Sequence, residues 1–169
     1  NGICTKLINR HPHVFNNVDL DMSQFEKTWE ELKRDEKGET SITSGLKRIP
    51  NHLPALIKAE KIQHKAALIG FDWDDIKDVF EKIDEEYKEL LDECKQGNIK
   101  YIKEELGDLL FSIVNLARFL HIDSEEALNL TNQKFINRFE FMEENASKLH
   151  KKLEDLTLDQ MEELWQSAK

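Results

Sequence analysis

Apolar side chains recur every three to four residues over most of this chain, with polar side chains at the positions between them. That period is typical of amphipathic α-helices, and little alternation of the strand type interrupts it. The pattern predicts long helices over Leu53–Ile69, Asp74–Gln96, Ile99–His121 and Ser124–Lys148, and a short one over Thr157–Ala168. We therefore expect an all-α fold, an antiparallel arrangement resembling a four-helix bundle.

Local signals mark where some of these helices begin. Asp72 is expected to cap the second long helix, with Asp74 and Asp75 in its first turn. Thr157 and Gln160 have the spacing of a capping box, which predicts the start of the last helix.

The first 50 residues differ in character from the rest of the chain. Residues 1–15 begin as an amphipathic segment, and we expect them to be the tail of an upstream domain in a longer protein. Residues 16–50 are expected to hold a connector helix, Met22–Asp35, followed by a polar, flexible linker. Residues 51–169 are expected to form the main domain.

Composition narrows the class of protein. Charged residues make up 34% of the chain and the net charge is −10, with no basic stripe, so we expect no nucleic-acid groove. No apolar run approaches the length of a membrane span. Cys4 and Cys94 are isolated thiols, and the sequence shows no secretory signal. Both observations favour a reduced, cytoplasmic setting.

Two pairs of acids stand symmetrically about Gly97. Glu86 and Glu89 precede it by eleven and eight residues, and Glu105 and Asp108 follow it by eight and eleven. If the two helices fold back at this glycine, Glu86 faces Asp108 and Glu89 faces Glu105. Like charges gathered in this way repel one another unless a cation lies among them. The pattern therefore indicates a divalent-metal site.

The alternative is a solvated helix face, because acids are common in this helix and pairs at such spacing arise easily. Glu86 argues for the metal site, since it occupies a position in the apolar stripe that Val79, Ile83 and Leu90 define. A buried, unpaired carboxylate costs on the order of several kcal/mol. Gly107 lies in mid-helix, which close backbone approach at a site would explain, as would chance.

The type of ligand restricts the metal. The acid pairs contain no histidine, unlike the Glu-x-x-His motifs of di-iron bundles. Carboxylate oxygens alone suit Mg²⁺, with Mn²⁺ as a substitute, rather than zinc or iron.

The segments EEYKE (Glu85–Glu89) and EELGD (Glu104–Asp108) resemble the EExxE…ExxD signature of MazG-type nucleoside triphosphate pyrophosphohydrolases. LPALIKAEKIQHKAALIGFDW, GDLLFSIVNLARFL, NQKFINRF and MEELWQSAK also resemble the C-terminal catalytic domain of bacterial MazG proteins, and RHPHVF resembles the end of their N-terminal domain. The resemblance covers nearly the whole chain.

The resemblance implies an all-α homodimer that hydrolyses nucleoside triphosphates to monophosphate and pyrophosphate with Mg²⁺. It implies that Glu86, Glu89, Glu105 and Asp108 are catalytic metal ligands, and that substrate is bound by Lys134, Arg138 and Trp165. From the residues alone, Lys134 and Arg138 are equally consistent with an ordinary charged helix surface. The alternatives to catalysis are a nucleotide-binding regulatory module and a structural dimerisation bundle whose acids are neutralised by lysines.

One position departs from the family pattern. Relatives often carry a lysine one turn before the third acid, where this chain has Tyr101, and Lys100 or Lys103 is a possible substitute. Phe71 and Trp73 flank a loop and are expected to anchor it to the core rather than to stack on a base. Glu85 is either a supporting group at the site or a solvated residue.

Overall fold

In a computed structural model of the protein, the described residues are 2–10, 12–15 and 41–169, together with Trp29, Leu32 and Gly38. The predicted connector helix Met22–Asp35 therefore lies outside the described residues, except for Trp29 and Leu32, which are both helical. The division of the chain at residues 15 and 50 stays a prediction.

The described residues form helices and no strand, which confirms the all-α fold class. The elements are α1 (Gly2–Arg10), α2 (Pro12–Phe15), α3 (Ile42–Lys47), α4 (Ala55–Ala67), α5 (Ile76–Gln96), α6 (Ile99–Phe119), α7 (Ser124–Lys148), a 3₁₀ turn (Leu153–Asp155) and α8 (Leu158–Ser167). Over this part of the chain, none of the helices combines the length and apolar character needed to cross a membrane.

The start of α5 corrects one prediction. The N-cap is Asp75, whose carboxylate accepts a hydrogen bond from the Lys77 backbone N–H at 2.9 Å. Asp72 instead accepts from the backbone N–H of its neighbour Trp73 at 2.9 Å. The capping box of α8 is confirmed by reciprocal bonds of 3.1 and 3.3 Å between Thr157 and Gln160.

A short helix lies inside the segment predicted as a polar linker. Ser41 and Ser44 form a capping box at the start of α3, in which each side chain accepts from the other residue's backbone N–H. Ile49, just after the helix, is 6% exposed. Capping by two small polar residues and burial of one apolar residue therefore order a stretch whose composition indicated a flexible linker.

The chain divides into two compact units, and the first is Asn1–Asn115. Among its described residues, the buried apolar side chains are Ile49, Val79 and Val114, and Gln63, Glu86 and Ser112 are buried as well. The Gln63 side chain donates a hydrogen bond from Nε2 to the Phe111 carbonyl at 2.8 Å, which links α4 to α6.

The second unit is Leu116–Lys169. Here α7 packs against α8 and against the 3₁₀ turn. Met142, Ala146 and Leu156 are the buried apolar residues of this unit. Asp123 caps α7 by accepting from the Glu126 backbone N–H at 2.9 Å.

Candidate metal site and a basic aromatic cluster

The hairpin of α5 and α6 turns at Gly97. This residue has φ of 75°, a left-handed conformation that glycine adopts without the steric cost of a side chain. Its N–H donates to the Glu93 carbonyl at 2.9 Å, which closes α5. The Asn98 side chain then accepts from the Lys100 backbone N–H at 3.2 Å at the start of α6.

Of the two pairs predicted to face one another, Glu86 and Asp108 meet across this hairpin, whereas no triad brings Glu89 together with Glu105. One carboxylate oxygen from each of Glu86, Glu105 and Asp108 lies within 4.8 Å of the others. A second triad, of Glu85, Glu86 and Glu89, meets the same limit. We call these five residues the acid cluster. Glu86 belongs to both triads and connects the two helices' contributions.

Burial within the acid cluster is uneven. Glu86 is 6% exposed and Glu105 is half-buried, whereas Glu85, Glu89 and Asp108 are exposed. The apolar-stripe argument therefore identified a carboxylate that is indeed buried. The cluster has one deep oxygen donor and a solvent-facing rim.

Electrostatic repulsion is visible at Glu105. Burial raises the pKa of its carboxyl above the ordinary value, and nearby negative charges raise the pKa further, in the order Glu89, Asp108, Glu86 and Glu93. The Glu89 charge thus acts on Glu105 across the hairpin. A cation among these oxygens would remove this repulsion.

Lys82 is a member of the site that the sequence analysis missed. Its Nζ lies 2.6 Å from Glu86 Oε1 and 2.9 Å from Glu85 Oε1. Hydrogen bonds to Glu86 and then to Glu85 raise the pKa of Lys82 above its ordinary value, so the ammonium stays charged. The position one turn before Glu86 was the available signal, because residues at i and i+4 are neighbours on a helix.

Gly107 has open space beside it in the described part of the chain. A Cβ placed on it would meet nothing within 4 Å, so packing within this part of the chain does not require the glycine. Phe71 and Trp73 also correct a prediction, because they are 80% and 41% exposed and do not anchor their loop in a core. A local sequence pattern does not report which side of a loop faces solvent.

The neighbourhood of Tyr101 shows where the nearby lysines lie. The Lys100 ammonium is 5.4 Å from the centre of the Tyr101 ring and 3.9 Å from Glu104. Lys100 is therefore placed beside Glu104 and the aromatic ring, and Lys103 is exposed on the same helix. A role for either lysine in place of the family's lysine stays a prediction.

In the second unit, Arg138 and Trp165 belong to one cluster with two phenylalanines. The guanidinium carbon of Arg138 is 5.0 Å from the Trp165 ring centre. Phe135 lies 5.0 Å from Trp165 and 4.9 Å from Phe139, measured between ring centres. We call Phe135, Arg138, Phe139 and Trp165 the basic aromatic cluster. Stacking on an aromatic face restricts the guanidinium to few orientations.

Lys134 is exposed on the same helix, one turn before Arg138. Both cations lie in the part of the chain from Leu116 onward, and the acid cluster lies in the part before it. The predicted site residues thus fall into two groups, the acids in the first unit and Lys134, Arg138 and Trp165 in the second.

Comparison with known proteins identifies the family. Residues 75–142 match the MazG nucleotide pyrophosphohydrolase domain. A protein of Thermotoga maritima named nucleoside triphosphate pyrophosphohydrolase/pyrophosphatase MazG is 46% identical over 97% of this chain and 62% of its own length. The nucleoside triphosphate pyrophosphohydrolase of Escherichia coli K12 is 40% identical over the whole of this chain and 67% of its own length.

The chain belongs to the MazG family. It spans about two thirds of the length of these two relatives. An uncharacterized Bacillus subtilis protein, YabN, is 46% identical over 99% of this chain and 35% of its own length. The same MazG-type segment therefore occurs within proteins of different total length.

The matched MazG region contains all five residues of the acid cluster, and also Lys82, Lys134 and Arg138. Trp165 lies beyond it. The hairpin of α5 and α6, which carries the acid cluster, therefore lies wholly inside the matched MazG region.

Proposed function

We propose that this chain hydrolyses nucleoside triphosphates to nucleoside monophosphate and pyrophosphate, by cleavage between the α and β phosphorus atoms in the presence of Mg²⁺. The observation that carries the proposal is the convergence of acids from α5 and α6 around a buried Glu86. Two relatives of this chain are named for pyrophosphohydrolysis of nucleoside triphosphates, which supports the same reaction.

The donor set of the acid cluster fits a hard divalent cation. Each triad offers three carboxylate oxygens within 4.8 Å of one another, and its members include no histidine or cysteine. Such oxygens suit Mg²⁺, with Mn²⁺ as a substitute. Glu86, Glu89, Glu105 and Asp108 would hold the ion, and the repulsion that adds to burial in raising the pKa of Glu105 supplies a reason to bind it.

Bound Mg²⁺ supplies charge neutralisation and Lewis acidity for phosphoryl hydrolysis. In our proposal water attacks in line at the α-phosphorus and pyrophosphate departs. Lys134 and Arg138 would bind the phosphate oxygens, for which a forked guanidinium is well suited. Trp165, already in contact distance of Arg138, would lie against the nucleotide. We assign the proposed hydrolysis to residues 51–169.

We also propose that the protein acts as a homodimer. Leu106, Leu110 and Ile113 stand on one side of α6 and are 46%, 48% and 46% exposed. A stripe of large apolar side chains open to water favours burial against a second copy. The molar mass in solution, measured by light scattering, tests this part of the proposal.

The reaction is tested with neighbouring acids of α6. We expect Glu105→Gln to lower kcat/KM for nucleoside triphosphates by about 100-fold or more, because loss of a metal ligand removes stabilisation of the transition-state charge. Glu104→Gln is the matched control, since Glu104 is exposed and lies outside both triads. Monophosphate and pyrophosphate are quantified separately. Equal turnover by the two variants, or release of orthophosphate alone, would contradict the proposal.

A structural bundle whose acids are neutralised by lysines is the second candidate, and one observation favours it. Lys82 already forms ion pairs with Glu85 and Glu86. In that case the protein would fold and dimerise normally but would form no monophosphate, and Mg²⁺ would leave its melting temperature unchanged.

A further inference from the structure

Lys82 occupies a special position relative to the acid cluster. Its ammonium contacts Glu86, the residue that both triads share, at 2.6 Å, and Glu85, a member of one triad, at 2.9 Å. A positive charge of the protein itself therefore already lies against the deepest oxygen donor of the proposed metal site.

This ion pair differs from an ordinary surface pair on the same helix. The Lys88 ammonium lies 2.9 Å from Asp84, and both side chains are about two-thirds exposed, at 69% and 67%. The Glu86 side chain is only 8% exposed, and the Lys82 side chain is 36% exposed. Water screens the first pair, whereas Glu86 depends on a nearby cation to offset its desolvation.

If the ion pair is retained when Glu86 binds a metal, two positive charges share one carboxylate. A divalent ion coordinated by this carboxylate would lie about 2.0–2.6 Å from one of its oxygens. Lys82 in its present position would then be only a few ångströms from that ion, on the same carboxylate. Repulsion between a single and a double positive charge at such a distance is strong, most of all where water is excluded.

We propose that Lys82 is a built-in competitor of the metal ion. It neutralises Glu86 in the metal-free protein, and its ion pair opens when a divalent cation binds to the acid cluster. Lys82 thereby stabilises the empty site and lowers its affinity for metal. This inference rests on the metal site proposed above.

Competition predicts opposite signs for two measured quantities in one variant. Lys82→Met should lower the melting temperature of the metal-free protein, because Glu86 loses its cation. The same variant should bind Mg²⁺ more tightly, because the competing charge is gone. A lysine that only supports the fold would give the first effect alone. A lysine that assists metal binding would give weaker Mg²⁺ binding.

The experiment is calorimetric titration of Mg²⁺ alone into the whole chain, without nucleotide. We expect Lys82→Met to lower the Kd for Mg²⁺ by about tenfold or more. Lys82→Arg keeps the charge and should bind Mg²⁺ with nearly the wild-type Kd. Lys88→Met is the matched control, since it removes the same charge from the same helix at an exposed pair, and it should change the Kd less than about twofold.

An unchanged or raised Kd in Lys82→Met, with wild-type binding intact, would overturn the competition while leaving the metal site in place. Absence of Mg²⁺ uptake by the wild type and by every variant would overturn the metal site and the competition together.

A second measurement avoids dependence on a variant that folds poorly. In wild-type protein with ¹³C-labelled lysine, the Lys82 Cε resonance is assigned by its absence in Lys82→Arg. We expect this resonance to shift on saturation with Mg²⁺ while that of Lys88 stays in place. A Lys82 resonance that does not move, in protein saturated with Mg²⁺, would contradict the proposal.

Discussion

The two sides of α5 carry the same kind of residue in different environments. On the outer side, Asp84 and Asp92 are each about two-thirds exposed, at 67% and 66%, and each has its own lysine at 2.9 and 2.6 Å. On the side that faces α6, Glu86 is buried and meets the acids of the second helix. The number of acids on a helix therefore does not by itself indicate whether the helix carries a metal site.

The difference shows what distinguishes a candidate site from a solvated surface. Exposed pairs such as Asp84 with Lys88 contribute roughly 0.3–0.5 kcal/mol each and tolerate substitution. Acids that converge from two helices repel one another, and at Glu105 that repulsion adds to the effect of burial in raising the pKa. Convergence and burial, rather than the number of acids, indicate a cation site.

The largest expected effect is on stabilisation by metal. At a free Mg²⁺ concentration of 100 times the Kd, binding should stabilise the fold by about 2.7 kcal/mol, which is several degrees in Tm. Asp108→Asn, on the inner side, should abolish most of this gain, because one triad loses an oxygen donor. Asp92→Asn, on the outer side, should keep it. Thermal melts with and without Mg²⁺ measure both.

If the two variants retain the same Mg²⁺-dependent gain, the inner and outer sides of the hairpin do not differ in function. If Ca²⁺ and Mg²⁺ produce the same shift in both variants, the effect is general screening by divalent ions rather than binding at the cluster.

Much of this contrast could be predicted from sequence, for physical reasons. Two i, i+3 acid pairs about a turn glycine predict that Glu86 and Asp108 meet once the helices fold back, as they do, and Glu86 stood in an apolar stripe. These are consequences of helical geometry, which is local. The same reasoning gave the all-α class and the capping box at Thr157.

The missed features depend on what lies across space from a residue. Gln63 is buried because its amide reaches the Phe111 carbonyl on another helix, 48 positions along the chain. Phe71 is exposed although it is aromatic, and nothing in its local sequence distinguishes it from a core residue. The i, i+4 spacing of Lys82 and Glu86 predicts that their side chains are neighbours. That this ion pair differs from a surface pair follows from the burial of Glu86, which is a tertiary property.

A smaller effect is expected in the second unit, where the same distinction applies to cations. Arg138→Ala should raise KM for nucleoside triphosphate by about tenfold, equivalent to about 1.4 kcal/mol, through loss of a charge-assisted phosphate contact. Lys148→Ala is the control on the same helix, because its exposed ammonium bonds only to the side chain of Asn145 among the contacts described. Steady-state kinetics over a range of substrate concentrations measure KM and kcat separately.

Comparable KM values for these two variants would place Arg138 among the solvated cations of α7. A fall in kcat at unchanged KM would instead indicate that the guanidinium acts only in the transition state. Either outcome would weaken the analogy between the two clusters.

The smallest effect concerns pH in metal-free protein. Because the folded-state pKa of Glu105 is raised, the folded protein binds more protons than the unfolded chain between the unfolded and folded pKa values. The contribution of Glu105 to stability is thus favourable at low pH and is lost as pH rises through the folded pKa. Glu105→Gln should therefore melt above the wild type at neutral pH in EDTA, and the difference should shrink as the pH falls through that window.

Glu104→Gln, outside both triads, should show no such pH-dependent difference. A Glu105→Gln protein that melts below the wild type at neutral pH, in the absence of metal, would mean that the converging charges do not oppose folding, and the contrast between the two sides of α5 would then lose its energetic basis.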